Sequence, residues 1–589
     1  MIRVPVQHLP PPSEKTMSLT HFAVTAAAIL LVAACSAPKT PPAAEKPESG
    51  DARAKRFVDF YQTSIRPLEI EAAQLYWAAN VSGKEADFEK KQEAEDKLDL
   101  ALSDPKRFAE LKAIKDGGNR EATISDSRLA REIDVLYLQY LDKQVEPELL
   151  KKMSAKSNVL ERAFNVFRPK VNGKDLTDND VRRILRESRD SAERRATWEG
   201  SKKVGPVVVG DLLELVALRN EAAKKLGFKN FHVLQLYCGE QSQEQLLKLF
   251  DELDELTREP FRKAKAEIDA ALAKSYGIKV EELRPWHYHD PFFQEVPSVL
   301  GDLPDDVYKP LDPVKVCREF YDGIGLSIDD VLKNSSLYEQ KGKNPHAFCI
   351  DINRAGDVRI LENIVPGREW LSTSMHELGH AVYSKYVASD LPYVLHTDAH
   401  PLCTEGIAMM FERFSQNVDW LRHFGAKIDN PEQFRAAAAK VRRNRLLVFS
   451  RYCQVMFRFE AALYDNPKQD LNRLWWDLVE KYQEIRRPEG VLKPDFASKY
   501  HLIGAPAYYH NYLLGEMFAS QVHHALVQTV LPGEKPATAI YIGNKAAGDF
   551  IRKRVFEPGL TLRWDELTRH ATGQPLSPKA FAEDLKIGN

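Results

Sequence analysis

The sequence predicts a large, mainly α-helical fold, and three observations carry that expectation. Apolar residues recur at helical steps through most of the chain, as in Phe57, Tyr61, Ile65, Leu68 and Ala72. Strand-like patterning is confined to residues 347–351 and 358–361, which flank the turn-forming run Asn353-Arg354-Ala355-Gly356-Asp357 and predict a small β-hairpin. Proline-containing stretches such as 295–313 punctuate the periodic segments.

The N-terminal stretch reads as a processing segment. Residues 22–34 form an apolar run with the length of a signal h-region, too short to span a bilayer comfortably. It ends in Val32-Ala33-Ala34-Cys35, which resembles a bacterial lipobox; the resemblance implies that Cys35 is lipidated and becomes the mature N-terminus. Arg3 and Lys15 supply charge if translation starts at Met1, and only His21 does so if it starts at Met17. A Pro/Ala/Lys/Glu tether follows over 36–50. The expected division is a signal segment (1–35), a tether (36–50) and one helical domain (51–589). The lipobox implies export to the periplasm or cell surface, the membrane being touched only through the N-terminal lipid. Ser36 and Ala37 lack an acidic residue, which by resemblance favours the outer membrane.

Within the body, helical patterns fill 85–111, 129–141, 149–167, 212–226 and 243–273, then 432–464, 472–485 and 507–531. The chain has 589 residues, 43% of them hydrophobic, enough for a sizeable core. With 83 basic and 85 acidic residues its net charge is -2, so no global field points to nucleic acid or an anionic membrane as partner. The six cysteines (35, 238, 317, 349, 403 and 453) include no CxxC pair, and at most one disulfide is expected. Trp286-His287-Tyr288-His289-Asp290 reads as local structure, because alternating His on an extended chain face opposite ways.

One motif carries chemistry. His376-Glu377-Leu378-Gly379-His380 places two imidazoles at i and i+4, one above the other on a helix, so both can reach one zinc ion. Leu371, Met375, Leu378, Val382 and Tyr386 form the apolar stripe of the same helix. At about 100° per residue, His376 and His380 project roughly a third of a turn off that stripe. A core-packed pair would lie on it. Catalytic zinc takes a third protein ligand and leaves one position open. Glu405, 25 residues past His380, is the best candidate; it stands off a second stripe of Ile407, Met410, Phe411 and Phe414. His396 and His400 compete with it, although Pro401 argues against a helix there. Glu412, seven residues past Glu405, either orients a ligand His or is a solvated residue. Glu377 is then the general base that activates water for attack on a peptide carbonyl.

With these residues the sequence resembles the angiotensin-converting-enzyme family of peptidyl-dipeptidases. Phe57-Val58, Tyr76-Trp77-Ala78-Ala79-Asn80, Trp198-Glu199-Gly200 with Val204-Gly205, and Leu218-Arg219-Asn220-Glu221-Ala222 follow the family's order. His346-Ala347 lies 30 residues before His376, at the family's spacing. Trp475-Trp476 and Lys481-Tyr482-Gln483 precede Lys499-Tyr500-His501, which is similar to the family's Lys-Phe-His. The resemblance implies a two-lobed helical body with a deep channel that admits short peptides. In it an edge strand at His346 and Ala347 pairs with substrate, Lys499 and Tyr509 take the C-terminal carboxylate, and His501 and Tyr512 stabilise the oxyanion.

Some features depart from the family. The spacing to Glu405 is one residue longer, Met409 replaces an Asp, and Asn511 replaces a chloride-binding Arg. The Gln that helps hold the substrate carboxylate has no evident counterpart. The longer spacing, Glu412, and Tyr509-x-x-Tyr512 followed by Glu516 resemble thimet oligopeptidases. An endo-acting oligopeptidase, a single-residue carboxypeptidase and an inactive peptide-binding protein are therefore the alternatives to dipeptide release.

Overall fold

The computed structural model describes residues 48–117, 123–301 and 303–586. The signal segment, most of the tether and Cys35 lie outside the described residues. Helices dominate, and among the described residues the only sheets are two small antiparallel strand pairs. No described helix is long and apolar enough to cross a membrane.

The first helices are α1 (Gly50–Phe60), α2 (Arg66–Ser82), α3 (Glu85–Leu102), α4 (Pro105–Lys115) and α5 (Ser127–Asp142). A short π-helical turn, Tyr61–Ile65, joins α1 to α2. The periodic segment 85–111 is two helices. Pro105 has no N–H for an interior helical bond, so it starts a new helix with Asp104 as its cap. Phe57, Tyr61, Ile65, Leu111, Ile133, Leu136 and Tyr140 pack these helices into a core of their own, closed by Tyr393, Val394 and Leu395.

Next come α6 (Pro147–Val166), β1 (Lys170–Val171), β2 (Lys174–Asp175), α7 (Asp178–Glu187), α8 (Ser191–Lys202), α9 (Val204–Lys225), α10 (Phe231–Cys238) and α11 (Gln243–Tyr276). The two-residue strands β1 and β2 lack any alternating pattern. Their signal is the turn Asn172-Gly173, both at positive φ, which is the hairpin chemistry of Asn-Gly. Beyond α12 (Pro313–Gly323) and α13 (Asp329–Asn334) lies the expected hairpin, β3 (Phe348–Asp351) paired with β4 (Val358–Leu361).

The remainder is α14 (Arg368–Lys385), α15 (Pro401–Glu412), α16 (Val418–His423), α17 (Pro431–Asp465), α18 (Leu471–Gln483), α19 (His501–Gly504), α20 (His510–Val530), α21 (Lys545–Ile551), α22 (Trp564–Thr572) and α23 (Lys579–Asp584). One large hydrophobic core runs through α9, α11, α14, α15, α17 and α20. Its centre is the contact of α14, α15 and α20, whose backbones approach closely because glycine lines the crossings. A Cβ on Gly379 would stand 2.7 Å from Ala408 Cα, and one on Gly406 would stand 2.8 Å from the Gly515 carbonyl oxygen. The Cys238, Cys317, Cys349, Cys403 and Cys453 thiols are free.

Candidate active site

Leu371, Met375, Leu378 and Val382 are fully buried on α14, and the half-buried His376 and His380 face away from them. Their Nε2 atoms stand 3.2 Å apart. α15 supplies the third group. It begins at Pro401, whose missing N–H costs nothing at the first helical position, and His400 caps it by accepting from Leu402 N at 3.0 Å. One turn on, Glu405 Oε2 lies 3.6 Å from His376 Nε2 and 3.9 Å from His380 Nε2. Among the described residues, His376, His380 and Glu405 alone bring three such ligand atoms within 4.8 Å of one another. His396 and His400 stay outside this cluster.

The second nitrogen of each imidazole is held from behind. Glu412 Oε2 lies 3.2 Å from His376 Nδ1, and Thr404 Oγ1 lies 2.7 Å from His380 Nδ1. Glu412 is itself held by Ser372, whose hydroxyl donates at 3.1 Å, and by Arg445 at 3.6 Å. Of the two readings of Glu412, the geometry selects the orienting one. Met409 cannot do this; its side chain packs at Gly515 instead. Thr404 was not picked out in the sequence, although its place beside Glu405 is the signal that could have found it.

The electrostatics suit a cation. Burial raises the Glu405 carboxyl, but the His376 and His380 imidazoles beside it outweigh this and hold it down at about 2. Glu412 is likewise at about 2 despite burial, through His376 and Arg445. Burial and the neighbouring His376 push His380 down to about 3. Burial also lifts Glu377 above the ordinary carboxylate range. Two imidazole nitrogens and one carboxylate oxygen converge on a point flanked by ionised carboxylates. That donor set fits a divalent metal with a position left open.

Of the other predicted residues, Lys499, His501, Tyr509 and Tyr512 pack together. Lys499 Nζ donates to Gln294 Oε1 at 2.8 Å, and the Tyr509 hydroxyl donates to the same oxygen at 3.2 Å. Burial, opposed by Asp290, pushes Lys499 down to about 7. The Tyr509 ring stacks edge-on with His501 at 5.0 Å and with Tyr512 at 5.6 Å. Burial and the Glu405 charge lift the Tyr512 phenol to about 12, so it is a hydrogen-bond donor at neutral pH.

Gln294 is a second residue that the sequence does not mark. It sits in an irregular loop shaped by Asp290, which accepts from Phe292 N at 2.8 Å and from Glu295 N at 3.1 Å. Gln483 Nε2 donates to the Phe292 and Phe293 carbonyls from below. Such a loop has no periodicity to read. Its legible signal is Asp290, the last residue of a segment expected to be local structure.

His346 and Ala347 immediately precede β3, which among the described residues pairs with β4 along one edge only. Phe348 anchors the strand against the Tyr76 and Trp77 rings of α2, at 5.4 and 6.0 Å. His346 is exposed, and its N–H donates to Asn344 Oδ1 at 2.9 Å.

Fold and donor set define the class: a large helical protein with a two-imidazole, one-carboxylate cluster able to bind a metal. The family model of the M2 peptidases, described as angiotensin-converting enzyme, matches residues 48–284 and 296–583. The chain belongs to this peptidase family. The match is interrupted across 285–295, the loop that carries Gln294. Angiotensin-converting enzyme of Rattus norvegicus is 23% identical over 573 residues, covering 90% of this chain and 42% of that protein. That of Mus musculus is 24% identical over 577 residues, with the same coverage of 90% and 42%. That of Sus scrofa is 24% identical over 431 residues, covering 67% of this chain and 32% of that protein. The chain thus spans about a third to two fifths of the length of these curated relatives.

Proposed function

We propose that the protein is a zinc peptidase that releases dipeptides from the C-termini of short peptides. The observation that carries the polarity is the convergence of Lys499 and Tyr509 on Gln294, beside Tyr512. A buried ammonium, a phenol and an amide are the groups that hold a peptide's terminal carboxylate.

His376, His380 and Glu405 would hold the zinc, which when bound would supply a Lewis acid to lower the pKa of a water and polarise the scissile carbonyl. Glu377, its carboxyl raised by burial, accepts the water proton and returns it to the leaving amine. Tyr512 and His501 donate hydrogen bonds to the oxyanion as charge develops on it. The open edge of β3, led by His346 and Ala347, pairs with the substrate backbone.

The test is product analysis by mass spectrometry on one short peptide, with a free and with an amidated C-terminus. Dipeptide release from the free acid and loss of cleavage on amidation are expected; equal cleavage of both overturns the proposed polarity. Glu377→Gln is expected to abolish turnover while retaining one zinc per chain, and a fully active variant removes the peptidase reading in favour of a peptide-binding protein.

A second reading, an endo-acting oligopeptidase, is favoured by Glu412 in place of the family's Asp as the partner of His376. Cleavage of internal bonds regardless of amidation identifies it. Export and lipid anchoring at Cys35 is a separate proposal. Labelling with a fatty-acid analogue tests it, and label retained by Cys35→Ala rejects it.

A further inference from the structure

The element that carries Tyr512 begins without the usual support. α20 starts at His510, and Tyr509 at its cap position makes no side-chain hydrogen bond to the first turn. A helix end lacking such a cap leaves orphan N–H groups and frays readily. The chain leading in is irregular, with Ala507 at a φ of +54°. Yet Tyr512 lies in that first turn, and an oxyanion donor needs its phenol held in place.

One side chain from elsewhere in the fold reaches both residues that precede Tyr512. Gln241 Oε1 accepts from His510 Nε2 at 2.7 Å, and Gln241 Nε2 donates to Asn511 Oδ1 at 2.8 Å. All three side chains are buried, with Gln241 8%, Asn511 6% and His510 1% exposed. Burial, with His232 and His400 nearby, holds the His510 imidazole well below its ordinary pKa, so it stays neutral with one N–H for the Gln241 oxygen. Each arm of the amide therefore has one partner of the right sense.

The Gln241 end is rigid. Gln241 N donates to Leu236 O at 2.7 Å, tying it to α10. Its neighbour Glu240 is in the left-handed region at a φ of +54°, which a non-glycine residue adopts only when its surroundings hold it there. Arg131 of α5 grips the Glu240 carboxylate with both terminal guanidinium nitrogens. The Trp564 and Arg563 side chains donate to the Glu240 carbonyl at 3.0 and 3.3 Å. Three elements thus brace the loop between α10 and α11, and the braced loop presents one amide to the first turn of α20.

We propose that Gln241 is a positioning residue for the reaction, acting through Tyr512. Its amide clamps the His510 and Asn511 side chains, ties the uncapped first turn of α20 to the braced loop, and so sets the direction of the Tyr512 phenol. The proposal rests on the reading of Tyr512 as the oxyanion donor. A donor of this kind works in the transition state, so its misplacement lowers kcat and leaves KM nearly unchanged.

The experiment is a double-mutant cycle on the zinc-loaded enzyme, with kcat taken per zinc bound. Tyr512→Phe is expected to lower kcat by about a hundredfold. Gln241→Leu is expected to lower it by about tenfold with KM within about twofold, as for a slight displacement of one reacting group. In the Tyr512→Phe background, Gln241→Leu is expected to cost less than about twofold, because the group it positions is gone. Asn511→Ala cuts one arm only; it gives a smaller loss with the same dependence on Tyr512, and serves if Gln241→Leu does not fold.

Equal losses in both backgrounds overturn the clamp, as does a Gln241→Leu enzyme with wild-type kcat. A residue that merely supports the fold lowers the melting temperature and the amount of zinc-loaded protein but leaves kcat per zinc unchanged. If Tyr512→Phe itself retains full activity, the oxyanion reading of Tyr512 fails, and the clamp built on it falls with it.

Discussion

His376 has a carboxylate at each ring nitrogen: Glu405 toward the metal position and Glu412 on the far side. In the proposed zinc site the far one decides which nitrogen faces the metal and makes the imidazole a better ligand. Glu412→Ala is expected to weaken zinc binding by about 10–100-fold, while Met409→Leu leaves it unchanged; competition with a chelator of known affinity checks both. Lys499 supplies a second residue-scale prediction. Its ammonium has a pKa pushed down to about 7 by burial, so the cationic form dominates below that pH and is lost above it. In the role proposed for Lys499, only the cation holds a terminal carboxylate. KM for a free-acid peptide is therefore expected to rise with pH above about 7, by up to about tenfold per unit. An amidated peptide shows no such rise, and steady-state kinetics across pH 6 to 9 on both peptides measure the difference.

The helices matter through how closely they approach. α14 and α15 pack with no room for a side chain at Gly379, which is what lets Glu405 reach the two imidazoles. Gly379→Ala forces the helices apart against backbone atoms of Ala408. The expected costs are about 1–3 kcal/mol of stability and a larger relative loss of zinc, read from thermal melts with and without metal. The strand pair β3–β4 is expected from its strand-like patterning and the turn residues between its strands. The pair β1–β2 is not, because two-residue strands have no period to detect. Helix boundaries shifted where one residue decided them. Pro105 split the segment expected over 85–111, and the irregular turn at Ala507 delayed the start of α20 to His510.

Across the whole molecule a charge network joins the last described helix, α23, to the residues behind His376. Asp584 of α23 accepts from Arg413, Arg442, Ser520 and His524. Arg413 pairs with Glu516 at 2.7 Å, and Arg445 bridges Glu516 to Glu412 behind His376. Burial raises the Asp584 carboxyl, but His524, Arg442 and Arg413 together hold it well below the usual range. A depressed folded pKa means stability present above about pH 4 and lost as the pH falls below it. Asp584→Asn leaves the partly buried Arg413 and Arg442 guanidinium groups under-compensated. It is expected to lower stability by on the order of 3 kcal/mol at neutral pH, with a flatter acid limb in denaturation curves from pH 3 to 7.

The sequence alone determined what is local. The i, i+4 imidazole pair, its position off the apolar stripe and the helical start of the Glu405 segment all follow from 3.6 residues per turn, which relates neighbours in the chain with no help from the fold. The resemblance to known peptidases added His346, Ala347, Lys499, His501, Tyr509 and Tyr512 by position. Tertiary structure decided what packing alone can bring together. It turned Glu412 onto His376, set Thr404 against His380, and carried Gln294 from an irregular loop about 200 residues away in sequence to Lys499 and Tyr509. It also seated Gln241 on the first turn of α20. The physical reason is common to these four. Each is a single polar side chain meeting a distant partner, with no periodic neighbours to mark it, and its role exists only once the close-packed helices have fixed the distance.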